Sequence, residues 1–172
     1  MSSGEIHNLV KKAKSGDAEA FGELYGMCNR DLFNFACYYL GDRYSAEDAV
    51  SDAVCSAFSS IGNLRNEASF KSWMFKILLR SCQKQMKYII ERRSTADIEE
   101  CEPFPGKDNG FIEKTELKEA LSLLNEEERE IILLATVGGY KSREIGEIMS
   151  KPAGTVRSKL KRTTDKLYDI LN

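Results

Sequence analysis

Four basic side chains, Arg157, Lys159, Lys161 and Arg162, fall within six residues of a chain whose net charge is −2. Guanidinium and ammonium groups at that density bind phosphate, and hydroxyls such as Thr155 and Ser158 beside them add hydrogen-bonding capacity. The stretch that holds them, SREIGEIMSKPAGTVRSKLKR at 142–162, reads as two short helices. Ile145 and Ile148 mark the inner face of the first. Gly146 lies where the two helices approach each other, and Ser150 and Lys151 make the turn. Pro152 suits the first position of the second helix, where its missing N–H costs nothing. Val156, Leu160 and Leu167 form that helix's apolar face, so Arg157, Ser158, Lys159, Lys161 and Arg162 reach outward. Thr155 and the early backbone N–H groups can hold a phosphate at the helix N-terminus. This is the pattern of a helix-turn-helix, whose second helix enters the DNA major groove. A solvated basic face would carry the same charges, and the pattern alone does not say what binding accomplishes.

The charge distribution supplies a second candidate surface. Residues 64–93 carry eight basic side chains against two acidic ones, a net +6; 94–139 carry four against twelve, a net −8; 140–172 carry eight against four, a net +4. Two basic zones therefore flank an acidic middle, and averaging hides two candidate phosphate-facing surfaces.

The elements that must position these groups are helical. Phe21, Leu24, Tyr25, Cys28, Leu32, Phe35, Ala36 and Tyr39 recur at three- and four-residue steps, predicting one long helix. Gly41 ends it. Ser45, with Asp48 three residues on, predicts the next start, close to a capping box. That helix buries Val50, Ala53, Val54, Ala57 and Phe58 and shows Glu47, Asp48, Ser51 and Asp52 on its other face. Gly62, Asn63 and Asn66 mark a loop. From Ser69 a third helix places Phe70, Trp73, Ile77 and Ser81 on one face, beside Met74 and Leu78. Lys76, Arg80, Lys84 and Lys87, at steps of four, four and three, form a basic ridge on another. Trp73 fits a core position better than a stacking platform. The stretch RRSTADIEECEPFPGKDNG at 92–110 loses the pattern and reads as an acidic linker. Phe111 to Leu124 is then one helix, Asn125 caps another with Glu126 to Glu128 in its first turn, and Gly138 and Gly139 end it.

The fold class expected is all-α: two small helical domains joined by a flexible acidic linker, the second a helix-turn-helix. Their limits are 1–92, 93–110 for the linker, and 111–172. No apolar run is long enough to span a membrane, and MSSGEIHNLVKKAKSGD lacks a signal-peptide core, which points to the cytoplasm. His7, the only histidine, falls at an end expected to be mobile. The five cysteines show no CxxC, and Cys28, Cys55 and Cys82 sit in helical patterns as small packing residues. Paired carboxylates, metal-ligand spacing and a phosphate loop are lacking too, so neither cofactor, metal nor catalysis is expected.

GYKSREIGEIMSKPAGTVRSKLKR resembles the C-terminal helix-turn-helix of bacterial sigma factors of the extracytoplasmic-function type, most specifically at Pro152 to Leu160. LGDRYSAEDAVSDAVCSAF resembles that family's polymerase-clamp-binding region, and ASFKSWMFKIL its promoter-melting segment. The resemblance spans about 18–171 in the family's order. It implies a subunit that lends RNA polymerase core its promoter specificity and opens promoter DNA. Glu47, Asp48, Ser51 and Asp52 would face the polymerase. Asn63, Arg65 and Asn66 would hold an unstacked base of the −10 element. Lys76, Arg80, Lys84 and Lys87 would neutralise nearby phosphates. Arg143, Thr155, Arg157, Ser158, Lys159, Lys161 and Arg162 would serve the −35 element. An anti-sigma factor is an implied partner. The chain departs from the family pattern in four places: Leu79-Arg80 replace Arg-Asn, Lys141 replaces a capping Ser or Thr so that Ser142 would cap one residue later, Ser150 replaces Gly in the turn, and Asn125-Glu126 replace Pro. A stand-alone regulator, binding DNA through the helix-turn-helix and dimerising through its N-terminal helices, is the alternative.

Overall fold

A computed structural model describes residues 2–95 and 115–171, and every regular element among them is helical. The first half contains α1 (Ser3–Lys14), α2 (Ala18–Gly26), α3 (Asn29–Leu40), α4 (Arg43–Ser60) and α5 (Phe70–Thr95), with two single-turn 3₁₀ segments, Ile61–Asn63 and Glu67–Ser69, between α4 and α5. The second contains α6 (Thr115–Ser122), α7 (Glu126–Thr136), α8 (Ser142–Met149) and α9 (Ala153–Leu171). Of the expected linker, 93–95 continue α5 and 96–110 lie outside the described residues, as do 111–114 of the helix expected from Phe111.

The N-terminus is a packed helix rather than a mobile end. The Ser2 hydroxyl accepts from the Glu5 N–H while the Glu5 carboxylate accepts from the Ser2 N–H at 2.6 Å, a reciprocal cap that the N-terminal sequence carries plainly. Val10 and Ala13 are buried beneath it; full burial of a valine side chain contributes about 1.5–3 kcal/mol.

The long helix expected over 21–39 is broken. α2 ends at Gly26, and Cys28, with φ −132° and ψ −1°, stands just before α3. The apolar period survives the break because Cys28 and Leu32 are both buried, so hydrophobic spacing alone could not locate it. α3 ends at Gly41, whose φ of 80° is the left-handed conformation a glycine adopts at little cost. The next helix starts earlier than expected. Asp42, not Ser45, is its cap, with Oδ1 accepting from the Ser45 N–H at 2.8 Å. Ala46, Ala49, Val50, Ala53 and Ala57 face inward, small enough for α3 and α5 to pack close, while Val54 and Phe58 are half-buried. Cys28, Cys37 and Cys82 are buried, but Cys55 is exposed and fills no core position.

On α5 the buried stripe is Phe70, Met74, Phe75, Leu78, Leu79 and Cys82; Trp73, Ile77 and Ser81 are only half-buried. The stripe is wider than expected because α5 packs on two sides. Its inner side meets α3 and α4, and its far side meets the second half of the chain. Phe75 touches Phe35 edge-on at 5.7 Å and Tyr140 at 5.3 Å, so one buried ring joins the halves. The apolar core is accordingly continuous from Val10 to Val156.

In the second half, Asn125 caps α7 as expected, and Glu128 completes a capping box by accepting from the Asn125 N–H at 3.0 Å. Arg129 closes the end of α6, donating to the Leu121 carbonyl at 3.0 Å and the Leu124 carbonyl at 3.2 Å, and reaches the Tyr39 carbonyl at 3.4 Å.

Candidate nucleic-acid and polymerase interfaces

The helix-turn-helix forms where the sequence placed it. Ile145, Gly146 and Ile148 of α8 are buried, as is Val156 of α9, with Leu160 and Leu167 half-buried. A Cβ on Gly146 would lie 2.5 Å from the Lys151 carbonyl oxygen, so the turn between the helices requires a residue without one. Ser150 holds the left-handed position of that turn at φ 57° and ψ 46°, at a cost a glycine would avoid. Lys141, rather than Ser142, stands at the start of α8, and the Glu144 carboxylate accepts its N–H at 2.7 Å. Pro152 precedes the first helical residue by one position and contributes its carbonyl to the Val156 N–H at 3.1 Å.

On the outer face of α9, Thr155, Arg157, Ser158, Lys161 and Arg162 are exposed. The Ser158 hydroxyl donates to the Gly154 carbonyl at 3.1 Å, which leaves its oxygen free to accept from a base edge. Arg143 of α8 is 88% exposed, beside Glu147. Lys159 does not join this face. It is half-buried and pairs with Glu127 of α7, which also binds Lys151 at 2.7 Å. Those two lysines hold the Glu127 carboxyl below its ordinary pKa, Lys151 first. Because α9 packs on α7, a lysine two positions from Arg157 turns inward; the local sequence could not separate it from its neighbours. Glu127 reads in sequence as an ordinary first-turn acid, and its clamping role needs the fold.

In the first half, Glu47, Asp48, Ser51 and Asp52 are all exposed on one side of α4. Arg43 lies 2.8 Å from Glu47, so Asp48 and Asp52 carry the stronger uncompensated charge. Beyond α4, Asn63, Arg65 and Asn66 are exposed around the buried Leu64. Asn66 also steadies the loop, its Oδ1 accepting from the Ala68 N–H at 3.1 Å. Lys14 of α1 donates to the Leu64 carbonyl at 2.6 Å, and His7 approaches Glu67 at 3.8 Å. Nothing local in the sequence could have singled out Lys14, which lies fifty residues from its acceptor. Trp73 packs against Phe70 with ring centroids 6.1 Å apart.

Arg80, Lys84 and Lys87 are exposed along α5 and Lys76 is half-buried. The ridge does not stand clear. Lys76 and Arg80 line a cleft of 370 Å³ together with Gln83, Glu126, Glu127, Glu130 and Lys151. Gln83 donates to Glu130 Oε1 at 2.7 Å; the Tyr39 hydroxyl donates to Glu126 Oε1 at 3.1 Å and lies 3.4 Å from Glu130 Oε1. Burial pushes the Glu130 carboxyl above its ordinary pKa, against the opposing pull of the Gln83 hydrogen bond. Burial likewise raises the Tyr39 phenol, with Glu130 and Glu126 adding to it.

Two family models match the chain: sigma-70 region 2 over residues 24–88, and sigma-70 region 4 over 114–167. The sigma factor SigV of Bacillus subtilis is 31% identical over 137 residues, covering 77% of this chain and 80% of that protein. The extracytoplasmic-function sigma factor SigM of Mycobacterium tuberculosis is 26% identical over 163 residues, covering 95% and 83%. Among solved structures, CnrH in complex with the cytosolic domain of CnrY aligns with a TM-score of 0.74 at 19% identity over 97% of both chains. The sigma factor RpoE of Bartonella quintana, in complex with the anti-sigma factor NepR, aligns with the same TM-score at 24% identity over 90% of this chain and 98% of its own.

Proposed function

Because the chain belongs to the sigma-70 family, as an RNA polymerase sigma factor of the extracytoplasmic-function type, we propose that its exposed surfaces divide promoter engagement among them. A sigma factor is a non-catalytic subunit: it binds core polymerase and promoter DNA and directs initiation. Asp48 and Asp52, with Glu47 and Ser51, offer carboxylate and hydroxyl acceptors to basic residues of the polymerase. Asn63, Arg65 and Asn66 receive a base extruded from the −10 element. Unstacking costs a few kcal/mol, repaid by hydrogen bonds to the base edge, and a loop anchored on Leu64 can supply donors there. Lys76, Arg80, Lys84 and Lys87 neutralise phosphates alongside.

In the C-terminal half, Arg157 and Ser158 read base edges of the −35 element. Thr155, Lys161, Arg162 and Arg143 hold phosphate. The working units are residues 1–92 and 111–172, with 93–110 between them. The site of action is the cytoplasm, where polymerase and chromosome lie, and no helix among the described residues is long and apolar enough to cross a membrane. An anti-sigma factor is a fitting regulator, since the relative from Bartonella quintana was solved with one.

The observation that carries this reading is the exposure, on one domain, of the α4 carboxylates together with the Asn63–Asn66 donors: a polymerase-facing and a base-facing surface fixed to one helical frame. The test is Asp48→Lys with Asp52→Lys. Core association should weaken at least tenfold, a loss of about 1.4 kcal/mol, while the circular dichroism spectrum stays native. Unchanged core affinity would overturn the assignment of this face.

A further inference from the structure

Thr155, Lys159, Arg162 and Lys166 recur along α9 at steps of four, three and four, so they line one flank of that helix. Thr155 and Arg162 are exposed, and Arg162 has no carboxylate partner among the described residues. The two lysines of the same flank are treated differently. Lys159 pairs with Glu127, and Lys166 Nζ lies 2.8 Å from Glu128 Oε2. Both carboxylates belong to the first turn of α7, which packs against α9. Their positions are fixed independently of α9. Glu128 closes the α7 capping box by accepting from the Asn125 N–H at 3.0 Å, and Glu127 is also held by Lys151 at 2.7 Å. Both carboxyls lie below their ordinary pKa, Glu127 through Lys151 and then Lys159, Glu128 through Lys166 first, so both are ionised at neutral pH.

We propose that Glu127 and Glu128 are specificity-determining residues that limit how many DNA phosphates α9 holds, by keeping Lys159 and Lys166 paired within the domain. The inference rests on α9 being the DNA-facing helix, and goes beyond that reading by assigning a role to two residues that do not touch DNA. A lysine is a point charge on a flexible four-carbon stem, so its head swings toward solvent once its carboxylate is lost. On this flank the released heads would stand beside Thr155 and Arg162, where phosphate is held. Each added phosphate contact releases counterions and strengthens binding to every sequence alike, since phosphate carries no base information. Without the two glutamates, weak upstream elements would fill together with strong ones. With them, a larger part of the grip depends on Arg157 and Ser158 at the base edges.

Glu127→Gln and Glu128→Gln remove the charge and keep the shape, and Gln at 128 retains an oxygen for the Asn125 N–H. Each variant, bound to core polymerase, is titrated onto a duplex promoter selected by run-off transcription from a randomised upstream element. The same duplex with that element scrambled is the second target, and both are measured over a range of salt concentrations. Each variant should steepen the slope of log K against log salt by roughly 0.9. It should also tighten both duplexes by the same factor, several-fold at low salt. Adding Lys159→Ala to Glu127→Gln, or Lys166→Ala to Glu128→Gln, should return the slope to the parental value. Glu119→Gln, on the exposed face of α6, makes the same change in net charge and should leave the slope alone. Equal steepening by Glu119→Gln would overturn the proposal, as would an unchanged slope in both paired variants. A steeper slope that survives loss of the lysine, or a gain confined to the selected element, would overturn it too. Arg162→Ala keeps the two readings apart. An unaltered slope there means that α9 holds no phosphate at Arg162 and sinks the DNA-facing assignment of this flank, whereas a flattened slope with unresponsive glutamate variants sinks the present inference alone.

Discussion

Gln83 donates to Glu130 across 2.7 Å, a bond between α5 of the first half and α7 of the second. It leaves a carboxylate buried where a neutral group would be easier to hold. Tyr39 and Gln83 face it from the first half, Glu126 and Glu127 from its own helix, Lys151 from the turn before α9, and Lys76 and Arg80 across the cleft.

That burial has a pH signature. The folded pKa of Glu130 is raised, so the stability it contributes is complete below the ordinary carboxylate pKa of about 4.3 and is lost as pH rises through the folded value. Glu130→Gln keeps an oxygen to accept from Gln83 and cannot ionise. The melting temperatures of parent and variant should therefore coincide near pH 4 and diverge toward neutrality, with the variant higher. A difference that does not change with pH would mean the carboxyl is solvated.

The turn of the helix-turn-helix should respond oppositely to two glycine exchanges. Ser150→Gly relieves a left-handed residue and should stabilise by up to about 1 kcal/mol in urea unfolding. Gly146→Ala drives a Cβ against the Lys151 carbonyl and should destabilise by about 1–3 kcal/mol. Neutral results for both would show that the turn is not tightly held.

Sequence preference at the −35 element should follow exposure rather than charge. Arg157→Ala and Ser158→Ala should relax the preference at single positions, each at a cost of about 1–3 kcal/mol. Lys161→Ala should weaken all promoters alike and flatten the salt dependence. Lys159→Ala should leave the preference intact, because its side chain is committed to Glu127. Run-off transcription from a randomised upstream element at two salt concentrations measures all four. A changed preference in the Lys159 variant would place that residue in the groove after all.

The proposed base capture by the loop at Asn63, Arg65 and Asn66 predicts that this loop is most needed while the duplex is closed. Replacing Asn63, Arg65 and Asn66 by Ala should impair open-complex formation on duplex promoters, and a template already mismatched across the −10 element should recover much of the loss. Lys14→Met, which removes only the donor to the Leu64 carbonyl, should give a weaker defect of the same kind. Equal defects on duplex and mismatched templates would assign the loop to another step.

Local patterns in the sequence determined a good deal. Apolar spacing marked Val156 and Ile145 as core, Asn125 and the three glutamates after it marked the start of α7, and the four-residue steps of α4 put Asp48 and Asp52 outside. These features depend on neighbours within a helical turn or two, which a sequence displays directly. The break at Cys28 escaped because one apolar period runs through both helices, and the cap at Asp42 because Ser45 offered a competing signal three residues later. Only the tertiary structure could decide the rest. Phe75 is enclosed between Phe35 and the remote Tyr140, Lys159 is drawn inward by Glu127, and Lys14 is set against a loop fifty residues away. Each of these depends on which remote surface supplies the partner. A charged or aromatic side chain has the same local pattern whether it meets water, DNA or another helix, and only the packed chain brings the deciding partner within a few ångströms.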